Sequence, residues 1–301
     1  MRKHTVSILV SDQETHPGLP RLLQSISRQS DGLDRMEIVV IGNGGHAPDS
    51  EGLWRAITGL EAIRLEICDP DVSPGMARNL AAAKTIGDRL VFLRPDHRLD
   101  PKYLTTADAV FADHSETDVL YADYIRLAPN RNQTPGPIMI QLPSFRDGLL
   151  QTRGFLGPGV LFTREIFERT AGFRDNTVYR DWDLWVQAAQ AGANFYHAGY
   201  PLTSCEHRKV SFRERAEDGR CKALLVINNQ HYFHEHSVRW ALAYLRGDPW
   251  AEAFGFMTIP GPMDVTRMLH DHAMKAMGTD TLAEQAIRQF DKAVINSSKI
   301  L

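Results

Sequence analysis

The polar residues best placed to do chemistry fall in short clusters, Ser11 to Glu14, Gly42 to Gly45 and Arg94-Pro95-Asp96-His97, with Arg78, Asp181 and His207 standing singly. Each has a plain structural reading beside a functional one. Arg78 reads as a helix-surface arginine, Asp96 as a turn aspartate before a helix, and Asp181 as the cap of a helix beginning near Trp182. Two further patterns imitate cofactor sites. Gly42-Asn43-Gly44-Gly45-His46-Ala47 follows a predicted strand and satisfies a loose G-x-G-x-x-A dinucleotide fingerprint, with Glu61 near the offset of a ribose-binding acid. That fingerprint belongs after the first strand of its unit, whereas an earlier strand and helix precede it here. An NAD-dependent Rossmann-type oxidoreductase is therefore a remote alternative. The run His231-Tyr232-Phe233-His234-Glu235-His236 is rich in metal-binding side chains but lacks the H-E-x-x-H spacing. His231 and His234 could share a helical face while His236 points elsewhere, so the run reads as an aromatic-rich helix packed on the core.

The elements that must position these residues alternate in texture. Val6 to Val10, Met36 to Ile41, Ile63 to Ile67 and Leu90 to Leu93 are short apolar runs that read as buried strands. Between them, helical spacing predicts helices over Leu19 to Ile26, around Leu53 to Ile57, and from Pro74 through Met76, Leu80 and Ala83. Another opens at Pro101 and reaches about Phe111. This β-α-β-α order implies an α/β fold, a mainly parallel mixed sheet flanked by helices. Such sheets bind ligands beyond the carboxyl ends of their strands, which directs attention to the loops at 11–14, 42–45 and 94–97. Further along, Val119 to Leu127, Val160 to Phe162 and Phe195 to Ala198 read as strands, 128–143 as proline-rich connection. Arg164 to Thr170 and Trp182 to Ala191 read as helices. From 213 the chain reads as helical, divided by Pro249, Pro260 and Pro262. The expected organisation is a ligand-binding domain over 1–212 and a helical C-terminal extension over 213–301 packed on it.

Composition narrows the function. With 34 Lys and Arg against 37 Asp and Glu among 301 residues, the net charge of −3 argues against a nucleic-acid binder. No apolar run approaches the roughly 20 residues of a transmembrane helix. Met1-Arg2-Lys3-His4 leads into a stretch interrupted by Ser7 and Ser11, unlike a signal peptide. Cys68, Cys205 and Cys221 are odd in number and widely spaced, so neither a disulfide frame nor a zinc ribbon is expected. The expectation is a reduced, soluble, cytoplasmic protein.

Four segments, in order, resemble glycosyltransferase family 2 on the GT-A fold. Val6-Ser7-Ile8-Leu9-Val10-Ser11 is similar to the family's opening strand, with Ser11 where proline is usual. Glu37-Ile38-Val39-Val40-Ile41-Gly42-Asn43-Gly44 resembles the strand and turn approaching the nucleotide base. Gly75-Met76-Ala77-Arg78-Asn79 and then Leu90 to Pro101 resemble the helix and strand leading to the Asp-X-Asp element. Ala171-Gly172-Phe173 with Arg180-Asp181-Trp182-Asp183-Leu184-Trp185 is similar to the segment carrying the catalytic base. The resemblance covers about 5–210.

The resemblance implies a UDP-sugar donor and inverting transfer to an acceptor hydroxyl. A breaking glycosidic bond loads charge onto the departing diphosphate, which a metal ion or cationic donors must stabilise. Nucleotide binding is expected at Ser11, Glu14, Gly42, Asn43, Arg78, Arg94 and Asp96, and Asp181 is the expected base. A divalent ion, Mn or Mg, would be held by Asp96 and His207. Two positions depart from the family: Arg94 replaces the first acid of the Asp-X-Asp loop, and Gly42 the acid of the strand-2 turn. Metal dependence is therefore expected to be weak. The Arg94 guanidinium could pair with the diphosphate or fold back onto Asp96. The second outcome would favour the alternative, a catalytically inactive nucleotide- or glycan-binding protein. Asp183 and Trp185 read as packing and surface residues.

Overall fold

The computed structural model describes residues 6–12, 18–31, 33–43, 63–68, 71–127, 136–206 and 212–276. In chain order these form β1 (Val6–Asp12), α1 (Leu19–Ser27), β2 (Met36–Asn43), β3 (Ile63–Cys68), α2 (Pro74–Ala83), β4 (Arg89–Leu93) and β5 (His97–Leu99). There follow α3 (Tyr103–Asp113), β6 (Val119–Leu127), β7 (Ile138–Ile140), α4 (Asp147–Leu150), β8 (Leu161–Thr163) and α5 (Arg164–Glu168). The remainder is α6 (Arg180–Gln190), β9 (Phe195–Glu206), α7 (Phe212–Asn228), α8 (Glu235–Arg246) and α9 (Pro262–Ala276). The helix expected around Leu53 to Ile57 lies outside the described residues. The chain divides into two compact units, Met1–Arg215 and Ala216–Leu301.

One mixed sheet runs in the order β3-β2-β1-β4-β8-β6-β9-β5, with β7 on β6. Strands β3, β2, β1 and β4 are mutually parallel, as the alternating order predicts. Ile38, Val39, Val40 and Ile41 in β2 are all buried, the mark of a strand covered on both faces. β8 runs antiparallel between β4 and β6, and β9 runs parallel to β6. β5 was not expected from the sequence. The chain leaves the sheet after β4 and rejoins it against β9, with His97 opposite Cys205.

Helix α1 buries Leu19, Leu22, Leu23 and Ile26, one stripe at helical spacing. The helix expected from Pro74 to Ala83 is α2, whose buried residues are Gly75, Ala77, Ala81 and Ala82, while Met76 and Leu80 are exposed. Small side chains let this helix lie close to β1 and β2, against which it packs. Its N-terminus is fixed by Ser73, whose hydroxyl accepts from the Met76 amide. Its C-terminal turn is tied down as well. Glu37 accepts from the amides of Ile86 and Gly87, and Arg164 donates to the Gly87 carbonyl and the Thr85 hydroxyl. These bonds set where β4 begins, and hence where it ends, at the carboxyl edge of the parallel strands.

In the second unit α8 packs on α9. Lys222 is fully buried there, 2.6 Å from Asp218, and donates to the carbonyls of Phe254 and Gly255. His231 to His234 form the turn before α8 rather than a helix, with Phe233 buried. The aromatic-rich helix expected there is thus a connection. No described helix is long and apolar enough to cross a membrane.

Candidate active site

Arg94 is the first residue beyond the carboxyl end of β4, where a parallel sheet presents its loops. Ser11 and Asp12 in β1 stand opposite Ile41 and Gly42 in β2, so the backbones of Ser11 and Gly42 lie at the same edge, with Asn43 ending its strand. Glu14, the Gly44 to Ala47 part of the dinucleotide-like pattern, Glu61 and His207 lie outside the described residues.

Two distant segments are bolted together to bring Arg78 to this edge. The Asn79 side-chain amide donates to the Phe173 carbonyl at 3.0 Å, and its oxygen accepts from the Phe173 amide at 2.9 Å. Gly172 has φ +67°, and a Cβ there would stand 2.6 Å from the Asn79 amide oxygen, so glycine is required on two counts. Asp175 receives the Ser73 hydroxyl and the amides of Gly75 and Met76, joining the start of α2 to the same segment. Arg180 closes onto Asp175 at 2.7 Å. One residue further, Asp181 sits in the first turn of α6. The helix starts at Arg180 with Tyr179 as N-cap and no side-chain cap, so the expected capping role of Asp181 is not the one observed. Instead its carboxylate accepts from Arg78 Nη1 at 2.7 Å.

Arg78 also lies over the Phe173 ring, 4.9 Å from its centre, and its Nε is buried without a hydrogen-bond partner. Arg94 folds onto Asp96 through a two-pronged pair, Nε to Oδ1 and Nη2 to Oδ2, both 2.9 Å. The Arg94 amide donates to His97 Nδ1 at 3.3 Å, which leaves the ring proton on Nε2. Arg78, Arg94, His97 and Asp181 line one cavity of about 60 Å³, walled by Phe92, Phe173, Trp185 and the segment Leu156-Gly157-Pro158-Gly159-Val160. That segment is pinned by Tyr103, whose hydroxyl donates to the Gly159 carbonyl, and by Thr203, which donates to that of Pro158.

The electrostatics follow from this crowding. Burial and the adjacent Arg94 push His97 down to about 3, so its imidazole is neutral at physiological pH. Desolvation pushes the Asp181 carboxyl up, but the Arg78 and Arg94 guanidiniums outweigh it and hold the group below the usual carboxylate range. Its side chain is 59 % exposed, so water screens the Arg78 pair. Asp96 is also low: burial raises it, and the bonds from Arg94 more than reverse that.

Among the described residues, those around Asp96 do not fit a divalent ion of the kind the resemblance implies. Both Asp96 oxygens are engaged by a guanidinium, and a cation stands where a second carboxylate would be needed. Among the described residues no three His, Cys, Asp or Glu side chains gather as a metal site. Sequence reasoning named Phe173 only within the Ala171-Gly172-Phe173 motif and passed over the Gly157-Pro158-Gly159 wall, although a Gly-Pro-Gly turn before a strand is a legible signal. Asp183, expected to be a packing or surface residue, is fully buried and bound by Gln187.

No protein-family model and no curated protein sequence matches the chain. Solved structures do. S. aureus TarS 1-349 aligns with a TM-score of 0.57 at 15 % identity over 82 % of this chain and 74 % of that one. The same TarS 1-349 in complex with UDP-GlcNAc gives 0.56 at 17 % identity, covering 80 % and 71 %. A further TarS structure gives 0.55 at 17 % over 83 % of this chain but only 44 % of that one. At such identity the likeness is one of fold, and the fold is the GT-A type of glycosyltransferases.

Proposed function

We propose that the chain is a glycosyltransferase that binds a UDP-sugar at the carboxyl edge of its parallel strands and transfers the sugar with inversion to an acceptor hydroxyl. The observation that carries this is the pair of guanidiniums, Arg78 and Arg94, lining one cavity with Asp181 at its open side. The UDP-GlcNAc and UDP complexes of TarS support the nucleotide class. The cavity takes part of the diphosphate, and the uridine lies along the ends of β1 and β2, by the backbones of Ser11, Gly42 and Asn43.

In the free protein the carboxylate of Asp181 is a poor base, because Arg78 stabilises its charge. A diphosphate competes for that guanidinium. Once Arg78 turns to phosphate oxygens, the Asp181 pKa rises toward its ordinary value and its oxygen is available. The acceptor hydroxyl then gives its proton to Asp181 as its oxygen attacks the anomeric carbon. The bond from that carbon to the diphosphate breaks, and UDP departs with the electron pair. His97, uncharged, contributes no competing carboxylate-binding cation at the back of the cavity. Asp181→Asn should abolish transfer while leaving UDP binding nearly intact, since a base acts in the transition state. Transfer near the wild-type rate in that variant would remove Asp181 from the chemistry. Nucleotide binding by wild type with no transfer to any acceptor and no donor hydrolysis would assign the chain to the non-catalytic class.

A further inference from the structure

Arg94 and Asp96 form a unit whose geometry has a direction. A guanidinium carries five N–H donors. Asp96 takes the edge made by Nε and Nη2, and Nη1 makes no hydrogen bond to any described residue. Arg78 is used in a similar one-sided way, with Nη1 on Asp181 and a buried Nε that has no partner. Both guanidiniums line the same cavity with donors to spare. Asp96 is 12 % exposed and its backbone carbonyl accepts from the Glu206 amide on β9, whereas Arg94 is 43 % exposed. The acid is therefore the fixed part of the pair and the arginine the part that reaches outward.

We infer that Asp96 is a positioning residue that holds the Arg94 guanidinium, and that Arg94 and Arg78 together clamp a diphosphate without a divalent ion. This rests on the nucleotide-binding reading above and deepens it. A planar fork held along one edge by a carboxylate presents its remaining N–H groups as a preorganised oxyanion receptor, and ordering it costs the ligand little. The Asp96 contact need not break when phosphate arrives, because the free Nη1 and the second Nη2 hydrogen suffice. Arg78 is the member that exchanges partners, leaving Asp181 for phosphate and gaining a partner for its Nε.

The test is calorimetric titration of UDP into the full chain, once in EDTA and once in excess manganese. Wild type should bind UDP with the same affinity in both. Arg94→Ala should lose about tenfold or more in EDTA, the scale of one charged hydrogen bond. Asp96→Asn should also lose affinity in EDTA, because its effect passes through Arg94, and should lose little more when added to Arg94→Ala. If Asp96→Asn does not fold, Arg94→Lys serves, since lysine keeps the charge but cannot hold the fork and should bind as poorly as the alanine variant. Binding that requires manganese in wild type would overturn this inference and leave the nucleotide reading standing. Unchanged affinity in Arg94→Ala, with UDP still bound, would overturn it as well. Absence of UDP binding under both conditions would overturn the nucleotide reading and this inference with it.

Discussion

The joint between α2 and the Gly172 segment can be broken at one atom, and its cost can be worked out in advance. Gly172→Ala forces an alanine into φ +67°, where a non-glycine residue pays about 1–2 kcal/mol. Its Cβ would also stand 2.6 Å from the Asn79 amide oxygen, so the Asn79 side chain must swing away. That loses both bonds to the Phe173 backbone, at about 0.5–1.5 kcal/mol each. The sum is about 2–5 kcal/mol, against a typical total stability of about 5–15 kcal/mol. Urea unfolding should show a lower midpoint at an unchanged slope. The two contributions separate in a double-mutant cycle. In an Asn79→Ala background the side chain that clashes is gone, so Gly172→Ala should cost only the backbone part, leaving a coupling of about 1–3 kcal/mol. The site should respond too, because Phe173 lies under the Arg78 guanidinium and packs edge-on against Phe92 at 4.7 Å. UDP affinity should therefore fall with stability. Additive costs in the cycle would refute the joint, and unchanged UDP affinity would show that Arg78 is positioned without it.

Other outcomes follow from the same contacts. Arg78→Ala should weaken UDP binding without unfolding the chain, and equal affinity with intact stability would remove Arg78 from the site. Asp175→Asn should cost about 1–2 kcal/mol at neutral pH, the worth of a helix N-cap. Desolvation raises the Asp175 carboxyl, but the Ser73, Arg180 and Gly75 donors bring it below 3.8, so this stabilisation is present above the unfolded value and lost as pH falls through the folded one. Wild type and variant should thus converge in acid denaturation series, and a gap that widens with acid would contradict the assignment. Lys222→Met leaves Asp218 buried without its cation and should destabilise by about 3–5 kcal/mol, read as a lower unfolding midpoint. A midpoint equal to wild type would show that water replaces the ammonium.

How much of this was legible in the sequence depended on range. β2 and β4 were readable because continuous β-branched and apolar runs bounded by turns have few other homes. Arg78 and Asp181 were each singled out, but their contact spans 103 positions, and no local pattern reports it. β5 was invisible because three residues carry no period, and His97 to Leu99 is a strand only by virtue of β9. β9 itself was expected to end at Ala198, since Gly199-Tyr200-Pro201 reads as a break. It continues to Glu206 because β6 offers nine residues of partner, with the register shift around Asp123 absorbing the proline. The bounds of α2 were legible from Pro74, but which of its faces turns inward was not. Met76 and Leu80 are the larger apolar residues, but a helix pressed close to a sheet turns its smallest ones inward.

Arg94 with Asp96 and Arg78 with Asp181 form two ion pairs around one cavity. An arginine beside an aspartate two residues away would ordinarily be a local surface pair of about 0–1 kcal/mol. Here the aspartate is nearly buried and fixed, and the next residue is a histidine kept neutral by the same burial. A protonated His97, whose Nε2 lies 3.8 Å from Asp96 Oδ1, would compete with Arg94 for Asp96. Its neutrality leaves the carboxylate to the guanidinium. Across the cavity Asp181 holds Arg78 by a single contact on a solvent-open carboxylate, the easier of the two pairs to part. The two pairs are thus unequal: Arg94 makes two bonds to a nearly buried carboxylate, and Arg78 makes one to an exposed carboxylate. On the proposed reading, an anion entering the cavity finds one cation already aimed at it and a second released by its arrival, and that release frees the carboxylate proposed as base.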